Sequence, residues 1–253
     1  DAALPRAEPV EGGTRMRGAW QLGRVAGIVV QVHWTFALLI GWVVMIHLRD
    51  GGSVADALRG VALTLAVFLC VVLHEFGHAL TARRFGIGTR DITLLPIGGV
   101  ARLDRMPRDP RQELLVAGAG PAVNVVLALA LGAVLVLTGR YASMMDAAHV
   151  GAGFLGQLLL INVVLVVFNL LPAFPMDGGR VLRALLALRW PYVRATRWAA
   201  TAGQVIAVAL GFSGVMLPSP ILVLIALFVF SGARAEARMV ESSAAAVLRD
   251  PGE

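Results

Sequence analysis

Long apolar runs, separated by short polar segments, dominate the hydropathy pattern of this chain. Several runs reach the roughly 20 residues that a helix needs to cross a hydrocarbon core about 30 Å thick. The runs are evenly apolar, which does not match the alternating strands of a membrane β-barrel. The predicted spans cover about residues 25–47, 61–80, 114–137, 154–171, 199–217 and 218–232. The sequence therefore predicts an all-α polytopic membrane protein with about six transmembrane helices.

One segment between the second and third spans departs from the helical pattern. Residues 88–104, GTRDITLLPIGGVARLD, combine β-favouring side chains, partial alternation and a Pro-x-Gly-Gly turn. We interpret this segment as a short β-hairpin that dips into the membrane. Its edge could pair with an extended peptide. A plain cytoplasmic loop is the alternative interpretation.

The composition fits a membrane protein and indicates its orientation. Hydrophobic residues make up 58% of the chain and charged residues 15%, a balance that is rare in soluble domains. All 22 basic residues are arginine, and most, including Arg180 and Arg183, fall in segments that six spans place on one side of the membrane. Because basic residues mark the cytoplasmic side, we predict a multi-pass cell-membrane protein with both termini in the cytoplasm. The same placement between apolar runs argues against nucleic acid as the partner of a chain with net charge +6.

The chain divides into three predicted regions. We expect residues 1–20 to form a flexible leader, residues 21–235 the membrane core, and residues 236–253 a cytoplasmic tail.

The second predicted span contains ionisable residues in the sequence VVLHEFGHALTARRFG. Such side chains are costly inside a membrane and usually mark a functional site. Residues four apart share one helix face, so His74 and His78 can bind the same metal ion. Glu75 is adjacent and can act as a base towards a water on that metal, which is the H-E-x-x-H arrangement of zinc hydrolases. The alternative is that both histidines are packed and hydrogen-bonded within the helix bundle.

A catalytic zinc site needs a third protein ligand. We predict Asp177, in the segment FNLLPAFPMDGGRVLRALL, because it is the only acidic residue between Asp146 and Glu236. Prolines interrupt the helix just before it, and broken backbone at membrane depth is tolerated where it lines a watery cavity or is buried in protein. Asp177 as the N-cap of the following helix is the alternative, and the two roles are compatible.

Together, HEFGHAL and NLLPAFPMDGG resemble the site-2 protease family of intramembrane zinc metalloproteases. Residues 94–124, LLPIGGVARLDRMPRDPRQELLVAGAGPAVN, are similar to the subgroup that lacks a PDZ domain and often carries CBS domains after the membrane core. Too few residues follow Ser231 for a CBS pair, so we expect none within this sequence. The resemblance covers roughly residues 20–235.

The resemblance implies a role for each matching residue. By position, His74, His78 and Asp177 would bind Zn²⁺, and Glu75 would be the catalytic glutamate. Asn169 matches an asparagine placed near bound substrate, where its amide could hydrogen-bond the substrate backbone or a developing oxyanion. An interhelical hydrogen bond is the alternative for Asn169.

Asn124, in GAGPAVN, also resembles a family position near the site. We therefore include Asn124 and Asn169 as predicted substrate-binding residues.

These features predict an intramembrane zinc endopeptidase that cleaves a transmembrane substrate near the cytoplasmic face of the lipid bilayer. The resemblance implies regulated intramembrane proteolysis of a signalling protein such as an anti-sigma factor. The residues themselves name neither the substrate nor the oligomeric state. Two other functions stay open. A metal transporter would hold an ion in transit at these ligands, and a non-catalytic protein would grip membrane helices. The scarcity of other ionisable residues argues against the first, and the complete ligand set with its glutamate against the second.

Overall fold

The computed structural model describes residues 18–105, 107, 109–140 and 153–249. In chain order, the elements are β1 (Ala19–Val25), β2 (Ile28–His33), α1 (Thr35–Arg49), α2 (Val54–Arg84), β3 (Thr89–Leu95), β4 (Gly98–Leu103), α3 (Pro110–Leu137), α4 (Phe154–Asn169), α5 (Asp177–Ala187), α6 (Tyr192–Met216) and α7 (Pro220–Arg249). The predicted leader up to residue 17 and the last four residues of the predicted tail lie outside the described residues.

Four of the described helices are long and apolar enough to cross a membrane: α2, α3, α6 and the Pro220–Ser242 part of α7. Large apolar side chains such as Leu129, Phe212 and Leu224 are exposed on their surfaces. Helices α1 and α4 are apolar but have only 15 and 16 residues. They measure about 22–24 Å, less than a hydrocarbon core of about 30 Å. The prediction of a mainly helical membrane protein is confirmed, whereas six full-length spans are not.

The predicted span over residues 25–47 is wrong at its start. The hairpin of β1 and β2 precedes α1, which begins only at Thr35. Ala26 and Gly27 connect the two strands, and both have positive φ, as a two-residue type I′ turn requires. A short apolar run such as IVVQV has no periodicity that separates a buried strand from a helix.

All four strands form one mixed sheet in the order β1-β2-β3-β4. The hairpin predicted over residues 88–104 is present as antiparallel β3 and β4, and β3 also pairs in parallel with β2. One apolar cluster joins the sheet to α2 through Ile28, Val30, Ile92, Phe76 and Ala79. The fold is therefore mainly helical rather than all-α, with β4 at one edge of the described sheet and next to α2.

Helix α2 has a defined start and a close partner. Ser53 and Asp56 form a capping box, in which each side chain accepts the other residue's backbone N–H. Further along, a Cβ on Gly77 would lie 2.7 Å from the carbonyl oxygen of Ala119 in α3. The missing side chain lets the two backbones touch, which brings the HEFGH turn of α2 against the GAGPAVN segment of α3.

A break without helix or strand, residues 170–176, separates α4 from α5. Gly178 and Gly179 pack the first turn of α5 onto it: their added Cβ atoms would lie 2.2 Å and 2.6 Å from backbone atoms of the break. Asp177 is the first residue of α5, while Met176 is the N-cap and no side chain caps the helix. The alternative that Asp177 serves as the N-cap is therefore wrong.

A buried cluster of charges ties α3, α5 and α7 together. Arg183 is 1% exposed and donates to Glu113 and Glu236, while its guanidinium carbon lies 5.0 Å from the ring centroids of Phe174 and Tyr192. Burial disfavours its charge, but Glu113, Tyr192 and Glu236 together outweigh burial and raise the pKa of the guanidinium. Arg183 is thus a buried structural residue, although the sequence placed it among the arginines that mark the cytoplasmic side.

Candidate active site

The three predicted metal ligands meet between α2 and α5. His74 and His78 lie one turn apart on α2, and all three side chains are buried. Their Nε2 atoms are 3.1 Å apart, and Oδ2 of Asp177 lies 3.1 Å from Nε2 of His74 and 3.2 Å from Nε2 of His78. The structure thus brings together His74, His78 and Asp177 in a group that could hold one metal ion. We refer to these three side chains as the metal-ligand group.

Hydrogen bonds behind the two rings determine which nitrogens carry protons. Nδ1 of His78 lies 2.7 Å from the carbonyl oxygen of Val116, and Nδ1 of His74 lies 2.5 Å from Oδ1 of Asn124. Since both partners accept, both Nδ1 atoms donate, and in the neutral rings both Nε2 atoms carry lone pairs. Two lone pairs and a carboxylate oxygen then face one another, an arrangement that a cation stabilises.

Asp177 is available as a carboxylate. Burial raises the pKa of this carboxyl and opposes its ionisation, whereas the positive charge of Arg180 favours it. Its position in the first turn of α5 also favours a negative charge.

Zinc fits this set of donors. Bonds of about 2.0–2.2 Å to nitrogen and oxygen place tetrahedral ligands about 3.3 Å apart, close to the 3.1–3.2 Å between the three atoms. A Cβ on Gly120 would lie 2.2 Å from Nε2 of His78 and 2.6 Å from Nε2 of His74. The glycine therefore keeps free the space in front of both nitrogens. Three protein ligands with an open position is the arrangement of catalytic zinc sites.

Glu75, the predicted catalytic residue, faces the edge strand of the sheet. Its Oε2 accepts the backbone N–H of Ala101 in β4 at 3.2 Å. A Cβ on Gly99 would lie 2.9 Å from Cγ of Glu75 and 2.9 Å from Cγ1 of Val71. Glycine at this position lets β4 approach α2, so that the strand edge and the glutamate are neighbours.

The two predicted substrate-binding asparagines have different surroundings. Asn124 is fully buried, its Oδ1 contacts His74, and its Nδ2 donates to Oδ1 of Asn162 at 2.9 Å. Asn169 is partly buried at the end of α4, and its Nδ2 donates to the carbonyl oxygen of Leu165 at 3.0 Å. This bond lies within one helix and is not the interhelical bond considered as the alternative. Substrate binding by either residue stays a prediction.

Three residues were not predicted as part of the site: Asn162, Gly99 and Gly120, the last of which the sequence suggests only as a helix-packing glycine. Asn162 does leave a signal, because an amide within an apolar helix usually hydrogen-bonds another helix. The glycines leave a weaker one, because sequence alone does not distinguish a glycine of close approach from one in a flexible turn.

Comparison with known proteins agrees with this geometry. The family model of peptidase family M50 matches residues 62–151 and 142–210. Zinc metalloprotease MJ0392 of Methanocaldococcus jannaschii is 38% identical over 221 residues, 87% of this chain and 61% of the relative. Putative zinc metalloprotease Rip3 of Mycobacterium tuberculosis is 35% identical over 237 residues, 87% of this chain and 59% of the relative. The chain thus spans about 60% of the length of these curated relatives.

The fold matches as well. The solved structure of the site-2 protease from Methanocaldococcus jannaschii superposes with a TM-score of 0.61 at 34% identity, covering 87% of this chain and 95% of that one. By its sequence and its fold, the chain belongs to peptidase family M50, the family of the site-2 proteases.

Proposed function

We propose that the chain is an intramembrane zinc endopeptidase that cleaves a membrane-spanning protein. One observation carries the proposal: two imidazole nitrogens and a carboxylate oxygen, from His74, His78 and Asp177, converge within 3.2 Å of one another. Glu75 follows the first ligand directly, and the relatives named above are zinc metalloproteases.

The chain's own residues would divide the chemistry as follows. His74, His78 and Asp177 hold the zinc ion. When bound, zinc acts as a Lewis acid that polarises the scissile carbonyl and makes water a nucleophile near neutral pH. The carboxylate of Glu75 takes a proton from the attacking water and delivers it to the leaving amine nitrogen.

The edge of β4 supplies a way to present the substrate. A helical substrate hides its peptide bonds in its own hydrogen bonds, so it must unwind locally before cleavage. An extended segment can add to a sheet edge through main-chain hydrogen bonds, and Ala101 places this edge against Glu75. Asn169 lies at the end of α4 beside the break, and its amide would hydrogen-bond the substrate main chain.

We further propose that the site lies near the cytoplasmic face and that both termini are cytoplasmic. Arg90, Arg102, Arg105 and Arg180 line a cavity of about 420 Å³ beside β4, and Arg180 follows Asp177 by three residues. Basic residues collect on the cytoplasmic side of membrane proteins. Cleavage there releases a fragment into the cytoplasm, which suits regulated proteolysis of a signalling protein such as an anti-sigma factor.

The test compares wild-type protein with Glu75→Gln and Asp177→Ala in detergent. Zinc is measured by mass spectrometry, and cleavage with a fluorescent apolar peptide that carries glycines at its centre. We expect about one zinc per chain in wild type and in Glu75→Gln, with cleavage at least about 100-fold slower in Glu75→Gln because the base is lost. Asp177→Ala should lose both zinc and cleavage.

Three other outcomes would contradict this assignment. If Asp177→Ala binds as much zinc as wild type, Asp177 is not a ligand. Equal cleavage by Glu75→Gln would overturn the mechanism, and zinc flux into vesicles without cleavage would favour a transporter.

A further inference from the structure

A line of side-chain hydrogen bonds connects three apolar helices behind the metal-ligand group. It runs from Asn162 of α4 through Asn124 of α3 to His74 of α2, with contacts of 2.9 Å and 2.5 Å. Both asparagines have no exposed surface. Neither Asn162 nor its hydrogen bonds enter the chemistry assigned above, so the purpose of this buried connection needs an explanation of its own.

A backbone carbonyl sets the direction of the whole line. The carbonyl oxygen of Leu158 only accepts, so the group of Asn162 that lies 2.8 Å from it is the Nδ2 donor. Oδ1 of Asn162 therefore faces Asn124 and accepts from its Nδ2. This leaves Oδ1 of Asn124 facing Nδ1 of His74. Rotating either amide by half a turn would set donor against donor or oxygen against oxygen, which is costly where water is absent.

The two histidines differ in what holds them. Nδ1 of His78 donates to the main-chain carbonyl of Val116, which cannot reverse its polarity. Nδ1 of His74 donates to a side-chain amide, which keeps its polarity only while something else orients it. Asn162 is the residue that does so, and its Nδ2 also lies 3.4 Å from Sγ of Cys70 on α2.

We propose that Asn162 is a positioning residue for the metal centre, acting through Asn124. It holds the oxygen of Asn124 towards His74, which keeps the ring proton on Nδ1 and the lone pair on Nε2 aimed at the metal position. The inference rests on the proposed role of His74 as a zinc ligand. Partners of this kind change metal affinity by about 10- to 100-fold when they are removed.

Zinc affinity in a double-mutant cycle tests the connection. Purified Asn162→Leu, Asn124→Leu and the double variant are titrated with zinc against a chromophoric chelator. We expect each single variant to bind zinc about 10- to 100-fold more weakly than wild type. The double variant should be no weaker than Asn124→Leu alone, because Asn162 acts only through Asn124. Thr196→Val removes a buried hydroxyl that bonds the main chain of α6, and it should leave zinc affinity unchanged.

Two results of the cycle would overturn the proposal. If Asn162→Leu binds zinc with wild-type affinity, the orientation of Asn124 does not depend on Asn162. An equal loss from Asn162→Leu in the presence and absence of Asn124 would show a general packing effect. Zinc binding does not depend on cleavage, so a protein that passes this test but cleaves nothing would contradict the endopeptidase proposal alone.

A second test uses the wild-type protein, so its result does not depend on whether a variant folds. Nitrogen-15 NMR of histidine-labelled, zinc-free protein reports which ring nitrogen of His74 is protonated. We expect Nδ1 to carry a proton that exchanges slowly with water. A His74 ring protonated on Nε2 alone would mean that the nitrogen of Asn124 faces it, and this would overturn the proposal.

Discussion

Gly120 faces the metal-ligand group so closely that a Cβ there would lie 2.2 Å from Nε2 of His78. A methyl group at this position would displace the ring or occupy the space in front of it. We therefore expect Gly120→Ala to bind zinc at least about ten-fold more weakly, as the loss of one ligand's geometry does. The helix itself should tolerate the change, because alanine is the better helix former. Zinc content and chelator competition measure the effect.

Gly118 provides the matched control for this prediction. It lies on the same helix two residues earlier, and a Cβ on it meets nothing within 4 Å. Gly118→Ala should keep the full zinc content. Equal zinc binding by the two alanine variants would contradict the placement of the metal in front of Gly120.

Gly99 offers a separate test of the contact between β4 and Glu75. A Cβ at this position would lie 2.9 Å from Cγ of Glu75, so Gly99→Ala should push the strand away and weaken the bond from Ala101. A displacement of about 1 Å can cost about 100-fold in rate. We expect cleavage to fall by about 10- to 100-fold while zinc content stays at the wild-type value. The control is Gly23→Ala in β1, where an added Cβ meets nothing within 4 Å, and this variant should cleave at the wild-type rate. If Gly99→Ala also loses zinc, the lower cleavage reflects general disruption of the fold and not the contact with Glu75.

The proposed orientation predicts which residues a membrane-impermeant thiol reagent reaches. Cys70 is the natural cysteine and is buried, so the wild-type chain provides a low background. Asp50, at the end of α1, and Ser242, in α7, are both exposed. In intact cells Asp50→Cys should be labelled from outside, whereas Ser242→Cys should react only after the membrane is opened. The reverse pattern would place the metal-ligand group near the outer face.

The proposed metal ligands could be predicted from the sequence because metal-binding residues form a dense local pattern. His74 and His78 share a face through helix geometry alone, and Asp177 is the only acidic residue between Asp146 and Glu236. The positions of Gly120 and Asn162 depend instead on how α3 and α4 pack against α2. No local sequence pattern predicts that packing, so the places of Gly120 and Asn162 beside the metal-ligand group are seen only in the three-dimensional structure.

The fold shows the same division between local and non-local information. Helix α2 combines a capping box, high hydropathy and sufficient length, and its core was predicted correctly. The hairpin before α1 was not, because a run of valine and isoleucine satisfies both a strand and a helix, and its pairing with β3 is distant in sequence. The short length of α4 follows from the break after Asn169, whose shape depends on glycine contacts with α5.

The buried cluster around Arg183 predicts a large effect on stability. Replacing Arg183 by leucine leaves Glu113 without its partner in an apolar interior. Breaking a buried ion pair from one side costs about 3–5 kcal/mol. We expect Arg183→Leu to lower the free energy of unfolding in detergent by that amount, measured by denaturant titration. The exposed pair of Arg197 and Glu241 is the control, and Arg197→Leu should cost less than about 1 kcal/mol. Equal losses would mean that Arg183 is not held by buried charge.

Zinc should also stabilise the fold, because its proposed ligands lie on two helices, α2 and α5, that are distant in the sequence. A ligand that binds the folded state alone, at a free concentration of 100 times its dissociation constant, adds about 2.7 kcal/mol to stability. We expect chelation to lower the melting temperature of wild-type protein in detergent, and added zinc to restore it. Glu75→Gln should respond equally, because Glu75 lies outside the ligand set. Asp177→Ala should show no response, because α5 then contributes no ligand. A melting temperature that zinc raises equally in wild type and Asp177→Ala would mean that α5 does not take part in the centre.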